Sequence, residues 1–260
     1  MMYIRKRILQ GEVVSGTFLQ LGSAMAAEVA GKAGLDWVVL DCEHGAGGFS
    51  ELVAQLHAVG CTKATPVVRV AWNEVHRFKR VLDVGASGVM VPYINNADEA
   101  RQAVAAMRYP LEGVRGVSML TRSCDFGMAF GDYFAAANRE LVTMLQIETP
   151  QAIENIDAIA AVDGADVMFV GPADLCTSMG FVMDLNNPTF QQAAAKVIEA
   201  CKRHGKAAGI LLRTPELVEQ YVAKGFTVIG VGSDGGFMRD GALRVAAAVK
   251  EARSKQRPQG

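Results

Sequence analysis

Cysteine is scarce and scattered. The five residues (Cys42, Cys61, Cys124, Cys176 and Cys201) are odd in number and form no CxxC pair. That pattern excludes a zinc knuckle and a disulfide framework and fits a reducing cytoplasm. Histidine is rarer, with four in 260 residues. No basic block occurs and the formal net charge is −1, so neither nucleic acid nor an anionic membrane is an expected partner. No charge-free stretch reaches membrane-spanning length, and the basic start MMYIRKRILQGEVV lacks the apolar run of a signal peptide. No GxGxxG follows the first strand-like run and no GxxxxGK[ST] occurs, which weakens nucleotide-binding folds. No linker rich in Gly, Ser or Pro divides the chain.

What is present is an alternation. Half of the residues are hydrophobic, enough for a large core. Apolar runs read as strands over residues 15–21, 36–40, 66–70, 88–91, 141–147, 166–170, 207–212 and 227–231. Helical spacing separates them over 24–32, 49–59, 73–84, 98–107, 151–161, 190–204, 215–224 and 235–252. The strands are continuous apolar runs, as in parallel sheets buried on both faces. Glycine precedes several of them (AGLDWVVL, GASGVMV, DGADVMFV, KGFTVIGV), where it ends a helix. Eight such units in 260 residues predict a single (β/α)8 TIM-barrel domain over residues 1–260. A doubly wound open sheet is the alternative. Residues 109–140 break the rhythm and are too long for an ordinary loop, which marks them for function or local structure.

The segment LVTMLQIETPQAIENIDAIAAVDGADVMFVGPADL organises the rest. It reads as strand, helix, strand, with Thr149 capping a helix that starts at Pro150. In a right-handed unit both strands point the same way, so Glu148 and Asp174 emerge on one rim. Two converging carboxylates are costly unless a cation lies between them, and oxygen donors favour Mg²⁺ or Mn²⁺; the alternative is two solvated loop carboxylates. The same rim collects Asp41, Glu43 and His44 after the second strand, Arg69 at the third, and Gln146 on the fifth. An imidazole at a strand end can serve as a general base, or make only a hydrogen bond within its turn. A buried-end Arg needs an anion. For Arg69 that anion is Glu43 or Asp41, or else a substrate carboxylate or an enolate oxygen. Backbone N–H groups of Ala173 and Asp174 could hold a small carboxylate. Cys176 has no evident base and reads as a small buried residue.

These motifs (DWVVLDCEHG, PVVRV, VLDVGASGVMVP, LQIETPQAIEN and FVGPADL), in order across most of the chain, resemble the HpcH/HpaI family of class II, metal-dependent pyruvate aldolases. The resemblance implies reversible cleavage of a 4-hydroxy-2-oxo acid to pyruvate and an aldehyde through a metal-bound pyruvate enolate. It implies Glu148 and Asp174 as ligands of a divalent metal, Mg²⁺ or Mn²⁺, with Co²⁺ or Zn²⁺ as further candidates. It implies His44 as the base, with Asp83 as its dyad partner, and Arg69 on the pyruvyl oxygen. Gln146, Ala173, Asp174 and Leu212 would line the substrate pocket. It also implies a homohexamer whose dimers exchange the last helix. Departures fall at Phe18, at Cys176, and at residues 121–130, a segment expected to shape the side that receives the aldehyde. Replacing Arg69 by Ala is expected to lower kcat without unfolding the chain.

Two other readings belong to different classes. A citrate-lyase β-like acyl-CoA lyase would want a cationic groove for the thioester carrier. A non-catalytic oxo-acid-binding barrel would need no base. A Schiff-base aldolase is disfavoured, because Lys63 and Lys206 precede their strands and fall on the opposite rim.

Overall fold

The computed structural model describes residues 2–255. Eight strands, β1 Val14–Leu19, β2 Trp37–Asp41, β3 Thr65–Arg69, β4 Gly88–Val91, β5 Val142–Ile147, β6 Val167–Val170, β7 Ala207–Leu212 and β8 Val228–Ser233, close into a parallel barrel in chain order. β8 pairs back onto β1, so the open-sheet alternative is excluded. Helix α1 (Arg5–Leu9) precedes the barrel. Helices α2 (Ala24–Lys32), α3 (Phe49–Gly60), α4 (Val75–Asp83) and α5 (Ala97–Met107) follow β1 to β4, and α6 (Phe130–Glu140) leads into β5. Helices α7 (Pro150–Glu154) and α8 (Ile156–Ala160) follow β5, α9 (Pro172–Ser178) and α10 (Pro188–His204) follow β6, α11 (Val218–Lys224) follows β7, and α12 (Asp234–Lys255) follows β8. Among the described residues no helix is long and apolar enough to cross a membrane.

Period-two alternation divides each strand between two cores. Trp37 and Val39 of β2, Val142 and Met144 of β5, and Val167 and Phe169 of β6 point into the barrel. Val38, Leu40, Leu145, Ile147, Met168 and Val170 pack outward against the helices. Gly16 makes room for Trp37, since a Cβ there would lie 2.1 Å from the indole. Helix α1 closes the amino end: Ile4 and Ile8 join the inner core, Arg5 pairs with buried Asp166 at 2.9 Å and Arg7 with Asp36 at 2.8 Å.

The helix starts follow their caps. Ser23 accepts from the Ala26 N–H, and Thr149 from the Ala152 N–H with Pro150 at the first helical position. The predicted 151–161 helix is broken at Asn155 (φ −94°, ψ 5°), whose side-chain amide donates to the Asn95 carbonyl at 2.8 Å. The first strand ends at Leu19, two residues short of expectation.

Residues 109–140 require a larger revision. They connect the end of α5 to the start of β5, so they lie at the amino end of the barrel. Arg122 there donates to the carbonyls of Val84 and Leu56, at the ends of α4 and α3. Within one chain, residues 121–130 are thus at the opposite end from Glu148 and cannot shape the aldehyde side of the same barrel.

Candidate active site

The alternation that fills the barrel also builds its mouth. On four of the strands the last inward position, or the one just beyond it, is polar: Gln20 after β1, Asp41 on β2, Arg69 on β3, Gln146 on β5 and Glu148 after it. Neighbouring registers bring them together, with Asp41 opposite Arg69 and Gln146 opposite Phe169.

On one side sits an arginine–carboxylate cluster. Arg69 Nε and Nη2 donate to the two oxygens of Asp41 at 2.9 and 2.5 Å, and Nη1 lies 3.0 Å from Glu43 Oε2. Gln20 Nε2 adds a 3.0 Å bond to Asp41. Burial would raise the Asp41 carboxyl, but Arg69 outweighs it and holds Asp41 below the usual carboxylate range. Glu43 moves the other way, raised by burial despite Arg69. Both protein anions considered for Arg69 are therefore engaged. Three of its five N–H groups are used, leaving one on each terminal nitrogen. The Arg69 guanidinium also lies 5.1 Å from the centre of the Phe18 ring.

On the other side Glu148 and Asp174 face each other across β5 and β6. Glu148 is 2% exposed and accepts from Gln146 Nε2 at 2.6 Å and from the Tyr93 N–H at 3.2 Å. Burial, then the charge of Asp174, pushes its pKa from an ordinary 4.5 up to about 8. Gly171 permits this approach, since a Cβ there would lie 2.2 Å from Glu148 Oε1. Gln146 Oε1 is buried without a partner. Ala173 and Asp174 occupy the first turn of α9, where no side chain caps their N–H groups.

His44 stands at the edge with its side chain largely exposed and Nε2 3.8 Å from Glu43. The His44 backbone N–H donates to Asp41 Oδ1 at 3.2 Å. Asp83 is not beside it. It ends α4 at the amino end of the barrel, where Arg115 Nη2 donates to it at 2.8 Å. Arg115 is itself buried between Tyr109 and Tyr133. Leu212 borders the cleft but packs mainly in the outer core; its neighbour Leu211 is the inward residue. Cys176 is buried, its thiol raised by burial, and so is poorly suited to attack.

Sequence reasoning missed Tyr93. It follows β4 with φ +51°, a conformation that aims its N–H at Glu148 and its hydroxyl at Asp174 Oδ1, 3.1 Å away. Trp72 packs against it with ring centres 5.9 Å apart. Nothing local marks a tyrosine as left-handed, so only the fold reveals this role. Leu211 and Gln20, by contrast, were within reach of the period-two count. Replacing Tyr93 by Phe is expected to weaken divalent-cation binding roughly tenfold, because the group that orients Asp174 is lost. Isothermal titration with Mn²⁺ measures this, and unchanged affinity would show that Asp174 needs no such support.

The sequence profile of the HpcH/HpaI aldolase/citrate lyase family matches residues 14–241. A 5-keto-4-deoxy-D-glucarate aldolase of Enterobacter sp. (strain 638) is 40% identical over 240 residues, 92% of this chain and 93% of that protein. Among solved structures, an HpcH/HpaI aldolase/citrate lyase family protein from Burkholderia cenocepacia J2315 superposes with a TM-score of 0.91 at 34% identity, covering 95% of this chain and 98% of its own. An HpcH/HpaI aldolase from Desulfitobacterium hafniense DCB-2 gives 0.88 at 28% identity, covering 100% and 99%. The matched segment opens on the first residue of β1 and runs past β8. It takes in every rim side chain described above, and the chain belongs to the HpcH/HpaI aldolase/citrate lyase family.

Proposed function

We propose that the chain is a class II aldolase, a single catalytic domain that reversibly cleaves a 4-hydroxy-2-oxo acid into pyruvate and an aldehyde. The observation that carries this reading is the buried Glu148 carboxylate held against Asp174 and beside the unpartnered Gln146 oxygen. That donor set suits a hard divalent cation such as Mg²⁺ or Mn²⁺. Among the described residues no group of three or more His, Cys, Asp or Glu side chains is placed to hold a metal ion, and two carboxylates with water filling the other positions suit Mg²⁺ or Mn²⁺. Glu148 and Asp174 would hold it. When bound, it would supply positive charge next to the oxo acid's carboxylate and carbonyl oxygens, easing formation of the enolate.

The remaining roles fall to the chain itself. The N–H groups of Ala173 and Asp174 receive the substrate carboxylate. Arg69 directs its free N–H groups at the oxygen that gains charge as the carbon–carbon bond breaks. The 4-hydroxyl proton passes through a water to His44. Leu211 and Leu212 give the cleft an apolar wall. Assay with 5-keto-4-deoxy-D-glucarate, coupling pyruvate release to NADH oxidation by lactate dehydrogenase, tests the reading. Turnover that stops with EDTA and returns with Mg²⁺ or Mn²⁺ is expected. Turnover of this compound without pyruvate release would contradict it.

The positions of His44 and Asp83 add a condition. They lie at opposite ends of one barrel, so a dyad between them joins two copies of the chain and requires a homo-oligomer. Histidine-44 and aspartate-83 variants, H44A and D83A, are each expected to be nearly inactive. Randomly mixed subunits are expected to recover roughly a quarter of wild-type activity, because one site type then receives both intact groups. Absence of recovery after subunit exchange would exclude the shared dyad.

A further inference from the structure

Two adjacent asparagines follow β4, and they serve differently. Asn96 caps α5, its side chain accepting from the Glu99 N–H at 2.9 Å. The side chain of Asn95 bridges two loops instead. Its Nδ2 donates to the Tyr93 carbonyl at 2.9 Å, and its Oδ1 accepts from the Thr149 hydroxyl. The orientation of the amide follows from the bonds around it. Thr149 Oγ1 accepts from the Ala152 N–H at 3.0 Å, so its own proton goes to an acceptor. That sets the Asn95 oxygen toward Thr149 and the nitrogen toward Tyr93.

The bridge belongs to a row. The Tyr93 N–H donates to Glu148 at 3.2 Å and the Ile94 N–H to the Gln146 carbonyl at 3.2 Å, and Asn95 takes Thr149. Three consecutive residues after β4 thus grip the stretch that ends β5 and carries Gln146 and Glu148. The first of them, Tyr93, has φ +51°. A residue with a side chain keeps that left-handed conformation only where its surroundings hold it. Glu148 takes the N–H of Tyr93 and Asp174 its hydroxyl, while Asn95 holds its carbonyl.

We propose that Asn95 is a positioning residue for the two rim carboxylates. By keeping Tyr93 left-handed it keeps the N–H on Glu148 and the hydroxyl on Asp174, and so presents the pair to a divalent cation. This rests on the reading of Glu148 and Asp174 as cation ligands. The Asn95 side chain bonds Tyr93 and Thr149 rather than either carboxylate, so its effect passes through Tyr93. Its main-chain contacts, with Glu99 Oε2 at 2.7 Å and with the Asn155 amide at 2.8 Å, survive any substitution of the side chain.

Two readouts test the proposal, one of them without cation or turnover. The chain has two tryptophans. Trp37 is fully buried, whereas Trp72 is half-exposed with its ring centre 5.9 Å from that of Tyr93. Acrylamide quenching of the cation-free protein therefore reports whether Tyr93 stays in place. In N95A, quenching is expected to rise and Mn²⁺ affinity by isothermal titration to fall roughly ten- to a hundredfold. The same substitution made in Y93F is expected to cost less than in wild type, because part of what Asn95 holds is already gone. N95D keeps the size of the side chain and the acceptor for Thr149 but turns an oxygen toward the Tyr93 carbonyl. It is expected to raise quenching as N95A does, and it decides the matter if N95A fails to fold. Quenching unchanged in N95D, unchanged Mn²⁺ affinity in N95A, or equal losses from N95A in wild type and Y93F would overturn the proposal. Mn²⁺ binding in wild type with an indifferent N95A removes the proposal alone, whereas no Mn²⁺ binding in wild type removes the cation reading and the proposal with it.

Discussion

Replacing Glu148 by Gln is expected to abolish divalent-cation binding and to lower aldol turnover by at least about a thousandfold. The substitution keeps the shape of a side chain that is 2% exposed and removes only its charge. In the wild type that charge is costly, because burial and neighbouring Asp174 push the pKa to about 8. The linkage has a definite sign. With the folded pKa raised, the stabilisation from proton binding is fully present below about 4.5 and is lost as pH rises through about 8. The cation-free wild type is therefore expected to lose on the order of 5 kcal/mol between those limits from this group. The Glu148→Gln variant does not, and at pH 9 without cation it should be the more stable protein. Cation binding needs the deprotonated carboxylate, so apparent affinity should rise with pH through about 8. Urea unfolding and Mn²⁺ titration at pH 6 and pH 9 test both statements. A variant that still binds Mn²⁺ with wild-type affinity would remove Glu148 from the ligand set.

Replacing Arg69 by Ala is expected to damage stability and catalysis together. The expectation from sequence, a fall in kcat with the fold untouched, does not survive the structure. Arg69 is the partner of buried Asp41 through two hydrogen bonds and of Glu43 through a third contact. Its removal leaves an unpaired buried carboxylate, which costs about 3–5 kcal/mol. Loss of the donor proposed to face the developing oxygen is expected to lower kcat by about a further hundredfold or more. Arg69→Lys separates the two effects. A lysine restores one charge near Asp41, so stability recovers substantially. It cannot reproduce the fork that grips Asp41 and leaves N–H groups free for the proposed substrate contact, so kcat is expected to stay low. Denaturation midpoints and steady-state rates for the two variants test this. Full activity in Arg69→Lys would mean that charge alone suffices at this position.

Much of the candidate site could be read without coordinates because parallel strands are predictable in one respect. Buried on both faces, they are apolar until the chain reaches the mouth, and the first inward polar residue there is conspicuous. Asp41, Arg69, Gln146 and Glu148 were found in that way. The order of strands followed from the strand–helix alternation, and the cap at Thr149 from its place before Pro150.

What could not be read depends on distance or on orientation. Tyr93 acts through a left-handed backbone and a hydroxyl that reaches 81 residues along the chain to Asp174. Asp83 pairs with Arg115, and neither residue announces the other. The break at Asn155 depends on Asn95, 60 residues earlier. Two signals were present and unused. A segment between a helix and the following strand must lie at the amino end, which places residues 109–140. The apolar pair Ile4 and Ile8, four residues apart in the basic N-terminus, marks a short helix with one buried face.

The most direct measurement is proton NMR of pyruvate in D₂O with the protein, first with Mg²⁺ or Mn²⁺ and then with EDTA. It needs no knowledge of the aldehyde. Loss of the methyl signal that requires the cation and stops on chelation is expected, because enolate formation opens the methyl group to exchange. No exchange at saturating pyruvate with Mg²⁺, Mn²⁺ or Co²⁺ would contradict an aldolase that works through a pyruvate enolate.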